Sequence, residues 1–253
     1  MSSNISIIIV LYKTNLNRIK YLNKIKNHSI LIFEQKTNIS REKQIKKYLN
    51  FKFQYFYSDK NIGLSKAMNF LIKKVKTKYC LLVEPDIKIE NKSIKILKSL
   101  VGKKDCLFVG PSYKKNKSNK PYFYSNNFDF SCLFFDIKKV KKFSFYDEDF
   151  SFYWEDIDLL TRVNNSKYKM IVSNRAFAIH NKSQSSESSL IIKILKVMNF
   201  KYGELVYGYK YKTLSKIKVL RHLYLCPLRM IIYLIFFNKK KFLLNLSYFL
   251  GTL

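Results

Sequence analysis

Acidic residues are the scarcest feature of this 253-residue chain: 17 Asp and Glu stand against 48 Lys and Arg, a formal net charge of +31. An imbalance of that size favours an anionic partner, whether nucleic acid, anionic lipid or a phosphorylated small molecule. Part of it also reads as lysine spread over ordinary solvated faces. Glycine and proline are few, at 6 and 4, which argues against low-complexity linkers and collagen-like repeats. No internal repeat occurs. The four cysteines, Cys80, Cys106, Cys132 and Cys226, form no Cys-x-x-Cys, so a zinc ribbon or thioredoxin-type motif is not expected. Three of them sit in apolar strand-like runs and read as buried thiols of a reducing compartment. No apolar run reaches the roughly 18 residues of a membrane-crossing helix. Met1-Ser-Ser-Asn4 carries no basic region ahead of the short run Ile5–Leu11, which reads as a first strand and not as a signal peptide.

What is present is ample for a core. Hydrophobic residues make up 47% and aromatics 16%, which excludes a disordered chain. The length suits one large α/β domain with a small appendage. Ile5–Tyr12 is a nearly unbroken β-branched run, the pattern of a parallel strand buried on both faces. We expect a helix over Asn15–Lys26, strands at Ile30–Phe33 and Phe51–Tyr57, and a helix over Gly63–Lys76. A strand at Tyr79–Val83, a helix at Ile94–Val101 and a strand at Cys106–Val109 follow. This alternation predicts a doubly wound, mostly parallel sheet, whose ligands sit beyond the carboxyl ends of the strands. Residues 111–130 read as a polar and aromatic excursion or hairpin. Phe130–Asp136 is strand-like, Trp154–Asn164 helical, and Met170–Ser173 and Ala176–His180 read as two short strands. Lys182–Ser189 is a Ser-rich loop.

The composition changes after residue 185. Residues 186–253 hold 12 Lys and Arg but 2 Asp and Glu, with long apolar stretches between them. Ile191, Ile194, Leu195 and Met198 recur at helical spacing. Leu223–Phe237 is apolar except for Arg229, is interrupted by Pro227, and is flanked by Arg221 and Lys239–Lys241. An in-plane membrane helix has this make-up, and so does a buried helical pair packed on the sheet. Both readings stay open here.

Where the rare acids gather is informative. Six of the 17 fall within twelve positions: Asp147, Glu148, Asp149, Glu155, Asp156 and Asp158. Glu155-Asp156-x-Asp158 opens a helix, where the dipole favours acids, and Asp158 stands four residues from Arg162. A structural role is expected for Asp158, and Asp156 reads either as an exposed first-turn acid or as a functional one. Glu84-x-Asp86 ends a buried strand. Two acidic clusters in so basic a protein suggest a divalent cation, a general base, or both.

These segments, taken in order, resemble glycosyltransferase family 2. Ile5–Lys13 resembles its opening strand. Asn61-Ile-Gly63-Leu-Ser-Lys-Ala67-Met-Asn69 resembles its Asn-x-Gly-x-x-x-Ala-x-Asn segment, and Leu81-Leu-Val-Glu84-Pro85-Asp86 its strand ending in Asn/Asp-Pro-Asp. Phe145-Tyr-Asp147-Glu148 through Glu155-Asp156-Ile-Asp158-Leu-Leu-Thr-Arg162 resembles its Phe-Asp-Glu…Glu-Asp-x-Asp-Leu-x-x-Arg block. His180 followed by Ser183 resembles its late His-x-x-x-Ser region. The rhamnosyltransferase-like subgroup is the most similar.

The resemblance implies a GT-A fold, Rossmann-like and mostly parallel, over residues 1–185, with a helical extension at 186–253. It implies a nucleotide-diphosphate sugar donor, a glycan or lipid-linked acceptor in cell-surface polysaccharide synthesis, and a divalent cation, Mg²⁺ or Mn²⁺. Asp86 would help hold the cation, with His180 as a further ligand or a diphosphate contact. Asp156 would be the general base. Glu34, Asn61, Gly63, Asn69 and Glu84 would border the donor, with Glu155, Asp158 and Arg162 in support. The buried thiols and the basic, apolar make-up of residues 186–253 suggest a cytoplasmic location, peripheral on the inner face of the membrane and against anionic lipid, and no nucleic-acid partner is expected. The chain also departs from the family. Phe33-Glu34-Gln35-Lys36-Thr37 replaces Val-Asp-Asn-x-Ser, Glu84 replaces Asn or Asp, and Phe130-Ser131-Cys132 lacks a Gly-rich start to the acceptor-side strand. An inactive scaffold on the same fold and a basic nucleic-acid-binding protein are the competing readings, although helix-turn-helix, zinc and RNP-type patterns are absent.

Overall fold

A strand buried on both faces must split its side chains between two cores, and β1 (Ile5–Tyr12) does so. Ile7, Ile9 and Leu11 enter one core, and Ile8 and Val10 the other. In the computed structural model, which describes residues 4–36, 41–114, 118–181 and 190–253 except the side chain of Ile191, β1 pairs in parallel on both sides. Its neighbours are β2 (Ser29–Gln35) and β4 (Tyr79–Val83), and β3 (Gln54–Ser58) lies beyond β2. Thr37, Ser183, the rest of the Ser-rich stretch 182–189 and part of the 111–130 excursion lie outside the described residues.

The remaining strands are β5 (Ile87–Ile89), β6 (Cys106–Ser112), β7 (Tyr122–Tyr124), β8 (Cys132–Asp136) and β9 (Lys169–His180). Among the described residues the sheet runs β3-β2-β1-β4-β8-β6-β9-β5, with β7 also against β9. The first four strands are parallel; β8 is antiparallel between β4 and β6, and β6 and β9 run parallel again. The chain is thus a mixed α/β fold with helices at its C-terminus. β2 and β4 lie on opposite sides of β1, so a crevice opens beyond the carboxyl ends of these strands.

Helices cover both faces. α1 (Glu42–Tyr48) and α3 (Asn91–Val101) supply Ile45, Ile94 and Leu97 to the first core. α2 (Leu64–Lys74), α4 (Ile137–Phe143) and α5 (Glu155–Asn164) supply Met68, Leu71, Val140, Leu159 and Val163 to the second. The helix expected over Asn15–Lys26 is instead two 3₁₀ turns, Leu16–Arg18 and Lys20–Ile25. The apolar residues explain this: Leu16, Ile19, Leu22 and Ile25 recur every third residue, the 3₁₀ period, and all four are buried. The two short strands expected at 170–173 and 176–180 are one strand, β9. The break between them is a register shift, with Ser173 opposite Pro111 and Phe177 opposite Ser112.

The chain divides into two compact units: Met1–Tyr146 with Leu159–Glu187, and Asp147–Asp158 with Ser188–Leu253. The acidic segment therefore groups with the C-terminal helices. In the second unit α7 (Lys216–Ile235) and α8 (Lys239–Leu250) pack along each other, and α8 packs on α6 (Leu190–Lys210). α7 continues through Pro227 despite the missing N–H. Among the described residues no helix is long and apolar enough to cross a membrane.

Candidate functional site

The turn after β4 builds the first part of the site. Pro85 fixes the turn, the Ile87 N–H donates to the Glu84 carbonyl at 3.1 Å, and the chain re-enters the sheet as β5. β5 pairs antiparallel with the end of β9, so that Ile87 lies opposite His180. The Asn181 N–H donates to the Asp86 carbonyl at 3.0 Å. Two segments about ninety residues apart thereby bring Glu84, Asp86 and His180 together, with one ligand atom of each within 4.8 Å of the others.

The trio fits a hard divalent cation. Asp86 is 4% exposed, yet its Oδ1 has no hydrogen-bond partner among the described residues. A carboxylate oxygen buried that way is costly unless a cation or donor completes it. His180 Nε2 stands 3.8 Å from Asp86 Oδ2, and its Nδ1 stands 3.3 Å from Asp129 Oδ2. An acceptor at Nδ1 draws the ring proton to that side and leaves the Nε2 lone pair towards Asp86, as metal-binding histidines require. Asp129 is itself held by the Ser131 N–H at 2.9 Å. Two carboxylates and an imidazole suit Mg²⁺ or Mn²⁺ better than a thiophilic metal.

The Tyr113 ring lies 5.4 Å from the His180 ring, with its hydroxyl buried and without a hydrogen-bond partner among the described residues. Burial, reinforced by neighbouring Cys132, Asp129, Glu84 and Asp86, pushes the phenol far above its ordinary range, so it stays a neutral donor. A cavity of about 410 Å³ beside it is lined by Ser112, Tyr113, Lys114, Phe123 and Asp129. Sequence reasoning missed Tyr113 and Asp129. The one available signal was their position next to strands β6 and β8.

A second cavity, about 670 Å³, opens where β1 ends and includes Lys13, Thr14, Asn15, Arg41, Lys47 and Tyr48. Its three cations favour an anionic ligand. Glu34, Asn61, Gly63, Asn69 and Glu84 are not among its lining residues. Glu34 reaches it through a partner: the residue is 1% exposed, with Oε1 accepting from Arg41 at 2.9 Å and Oε2 from the Tyr55 hydroxyl at 2.7 Å. Asn61 accepts from the Gly63 N–H at 3.1 Å, and Gly63 caps α2 at φ 87, ψ 157, a region almost closed to other residues. Asn69 pairs with the Tyr146 peptide in both directions, at 2.9 and 3.2 Å.

The acidic block behaves differently. Tyr153 and Trp154 both adopt left-handed backbone, φ 73 and φ 71, directly before α5. Strain of that kind costs about 1–3 kcal/mol per residue and persists only where the surroundings enforce it. Glu155 is buried, and Asp156 is half-buried with Oδ1 accepting from the Ile157 N–H at 2.8 Å. Asp158 is fully buried and accepts from Lys210 at 2.6 Å and the Tyr211 hydroxyl at 2.9 Å. Arg162 donates to the Ser144 carbonyl at 2.8 Å and to the Phe145 carbonyl.

The family profile described as "Glycosyl transferase family 2" matches residues 6–169, well over half of the chain. The chain belongs to glycosyltransferase family 2. Its fold is the GT-A glycosyltransferase fold. The similar solved structures carry the same fold at low identity. A mannosyltransferase from Pyrobaculum calidifontis, solved with GDP-Man and Mn²⁺, superposes with a TM-score of 0.61 at 8% identity, over 84% of this chain and 65% of that one. GalNAc-T7, solved with UDP, GalNAc and Mn²⁺, gives 0.57 at 11%, over 79% of this chain and 47% of that one. A fragment of S. aureus TarS gives 0.57 at 12%, over 98% and 90%. This family 2 chain thus spans about half of GalNAc-T7 and about two thirds of the mannosyltransferase. No curated protein matches it.

Proposed function

We propose that this family 2 protein is an inverting glycosyltransferase that moves a hexose or deoxyhexose, such as rhamnose, from a nucleotide-diphosphate sugar to a glycan or lipid-linked acceptor in cell-surface polysaccharide synthesis. The observation that carries the reading is the Glu84, Asp86 and His180 group at the β4 turn, with a buried Asp86 oxygen that has no hydrogen-bond partner among the described residues. Bound there, Mg²⁺ or Mn²⁺ would supply Lewis-acid stabilisation to the departing diphosphate. Asp129 would hold His180 in the tautomer that offers Nε2. Lys13, Arg41 and Lys47 would draw the anionic nucleotide into the cavity at the end of β1. Asp156 is assigned as general base on the family motif. It takes the proton of the acceptor hydroxyl while that oxygen bonds the anomeric carbon. The carbon–oxygen bond to the diphosphate breaks on the opposite face, so the configuration inverts.

The test incubates the protein with UDP-, dTDP- and GDP-sugars and follows nucleoside diphosphate release, the anomer of the released sugar being read by NMR. Release with inversion, lost in Asp156→Asn and Asp86→Ala, supports the reading. Full release by Asp156→Asn would remove the assigned base.

The reading extends to the membrane as the place where the acceptor is met, from the cytoplasmic face. α7 exposes Ile217, Leu220, Tyr224, Leu228, Ile231 and Ile235, spaced three and four residues apart along one stripe. Phe237, just beyond, is 94% exposed. Lys216, Lys218, Arg221 and Lys239–Lys241 flank the stripe. An exposed apolar stripe with basic flanks supports an in-plane helix over a buried helical pair.

A further inference from the structure

The second unit holds an ion-pair arrangement that the assigned chemistry does not use. Lys210 Nζ lies 2.6 Å from Asp147 Oδ2 and 2.6 Å from Asp158 Oδ1. These two carboxylates are the first and last residues of the acidic segment Asp147–Asp158. Tyr211 donates to the same Asp158 oxygen at 2.9 Å, and the rings of Phe150 and Tyr211 each lie 5.6 Å from the ammonium. Burial works against the Lys210 charge, but the hydrogen bonds to Asp147 and Asp158 outweigh it and hold the ammonium above the ordinary lysine range. It therefore stays charged at neutral pH.

The rest of the segment is gripped by the same helix face. Ser151 reaches Asn199 at 3.3 Å, and the Trp154 ring packs on Phe200 and Tyr207 at 5.5 and 5.2 Å. Gly203 lies under it: a Cβ there would fall 2.8 Å from Trp154 Cδ1 and 3.0 Å from the Tyr153 carbonyl. Positions 199, 200, 203, 207, 210 and 211 form one face of a 3.6-residue helix. That face, supplied by α6, encloses the left-handed pair Tyr153–Trp154 that immediately precedes Glu155-Asp156.

We infer that Lys210 is a positioning residue for Asp156: by joining Asp147 to Asp158 it closes the segment at both ends and fixes the strained turn that sets the Asp156 carboxylate. Removing Lys210 takes away the cation that bridges two carboxylates of like charge, one of them fully buried. Asp156 stands two residues from the clamped Asp158, so any loosening reaches it directly. The inference rests on Asp156 being the base, and it makes α6 part of the catalytic apparatus.

Trp154 is the single tryptophan of the chain, so its fluorescence reports the order of this segment without a ligand. The experiment compares the full-length wild type with Lys210→Met, Lys210→Arg and Asp147→Asn, using Trp154 emission, acrylamide quenching and UDP-, dTDP- and GDP-sugar hydrolysis. Lys210→Met is expected to red-shift the emission, speed quenching and lower turnover on the order of 10²-fold, as misplacement of a catalytic group does, with Mn²⁺ affinity unmoved. Lys210→Arg should recover most of both signals. Asp147→Asn breaks one arm while leaving buried Asp158 paired, so it should fold even if Lys210→Met does not, and should show a smaller loss of the same kind. Unchanged Trp154 emission and quenching in Asp147→Asn and Lys210→Met would overturn the clamp. Looser fluorescence with full turnover would overturn the positioning role. Full turnover in Asp156→Asn would sink the base assignment and leave the fluorescence test of the clamp standing.

Discussion

Asp129 shows how a single residue gains meaning only in three dimensions. It matches no motif that we recognise, yet it accepts from His180 Nδ1 and so decides which nitrogen of that ring faces Asp86. Asp129→Asn keeps the shape and removes the charge. We expect Mn²⁺ affinity, read by electron paramagnetic resonance, to fall about 10–100-fold, the usual effect of losing an outer partner of a metal-binding histidine. An unchanged affinity would mean that His180 does not depend on it. Glu34 teaches the reverse lesson. The sequence suggested a residue facing the donor, but both its oxygens are engaged by Arg41 and Tyr55, so its contribution to a donor site would run through Arg41. Asp86 was legible because an acid at the end of a buried strand has few structural uses. Gly63, expected to border the donor, caps α2, and its φ of 87 shows why glycine stands there. Gly63→Ala should destabilise by roughly 1–3 kcal/mol in a denaturant melt.

Among elements, the long apolar runs were the easiest to read. β1 and β4 could be bounded from sequence because strands buried on both faces have few polar interruptions. α1, with one buried residue in seven, gave no apolar stripe to detect, and β5, at three residues, gave no period. Yet β5 carries much of the site, since its pairing with β9 delivers His180. The helices of the second unit depend on close approach and on one acid. A Cβ at Gly251 would lie 2.4 Å from the Met198 carbonyl oxygen, so Gly251→Ala should cost on the order of 1–3 kcal/mol through overpacking. Burial raises the Glu204 pKa, but hydrogen bonds from Lys218 and Lys201 outweigh it and hold the acid below its ordinary 4.5. A depressed acid stabilises the fold above its unfolded value, and that contribution fades as the pH falls through the folded value. Thermal melts from about pH 7 to about pH 3 should therefore show Glu204→Gln less stable at the upper end, with the difference closing in acid. A constant difference would contradict this.

Across the whole molecule, the charge of +31 matters through where it meets apolar surface. The exposed stripe of α7 is bordered by lysine and arginine, so binding to vesicles containing phosphatidylglycerol should be strong at low salt and weaken as salt screens the basic flanks. Phe237→Glu together with Ile231→Glu should release the protein in a co-sedimentation assay while leaving donor binding intact. Retention of the double variant would sink the membrane reading. Which face of this helix stays outward could not be read from sequence, because an in-plane helix and a buried pair have the same composition.

A cation-dependent nucleotide-sugar site at the end of β4 is central to the proposed function. Its most direct test is a thermal-shift comparison of UDP-, dTDP- and GDP-sugars with the full-length protein, with and without Mn²⁺, in wild type and Asp86→Ala. At free ligand well above Kd, binding stabilises by about 3–4 kcal/mol. A metal-bound donor site should give a shift with one nucleotide, present only with Mn²⁺ and lost in Asp86→Ala. A shift that ignores Mn²⁺ and survives in Asp86→Ala, or no shift with any donor, would contradict it.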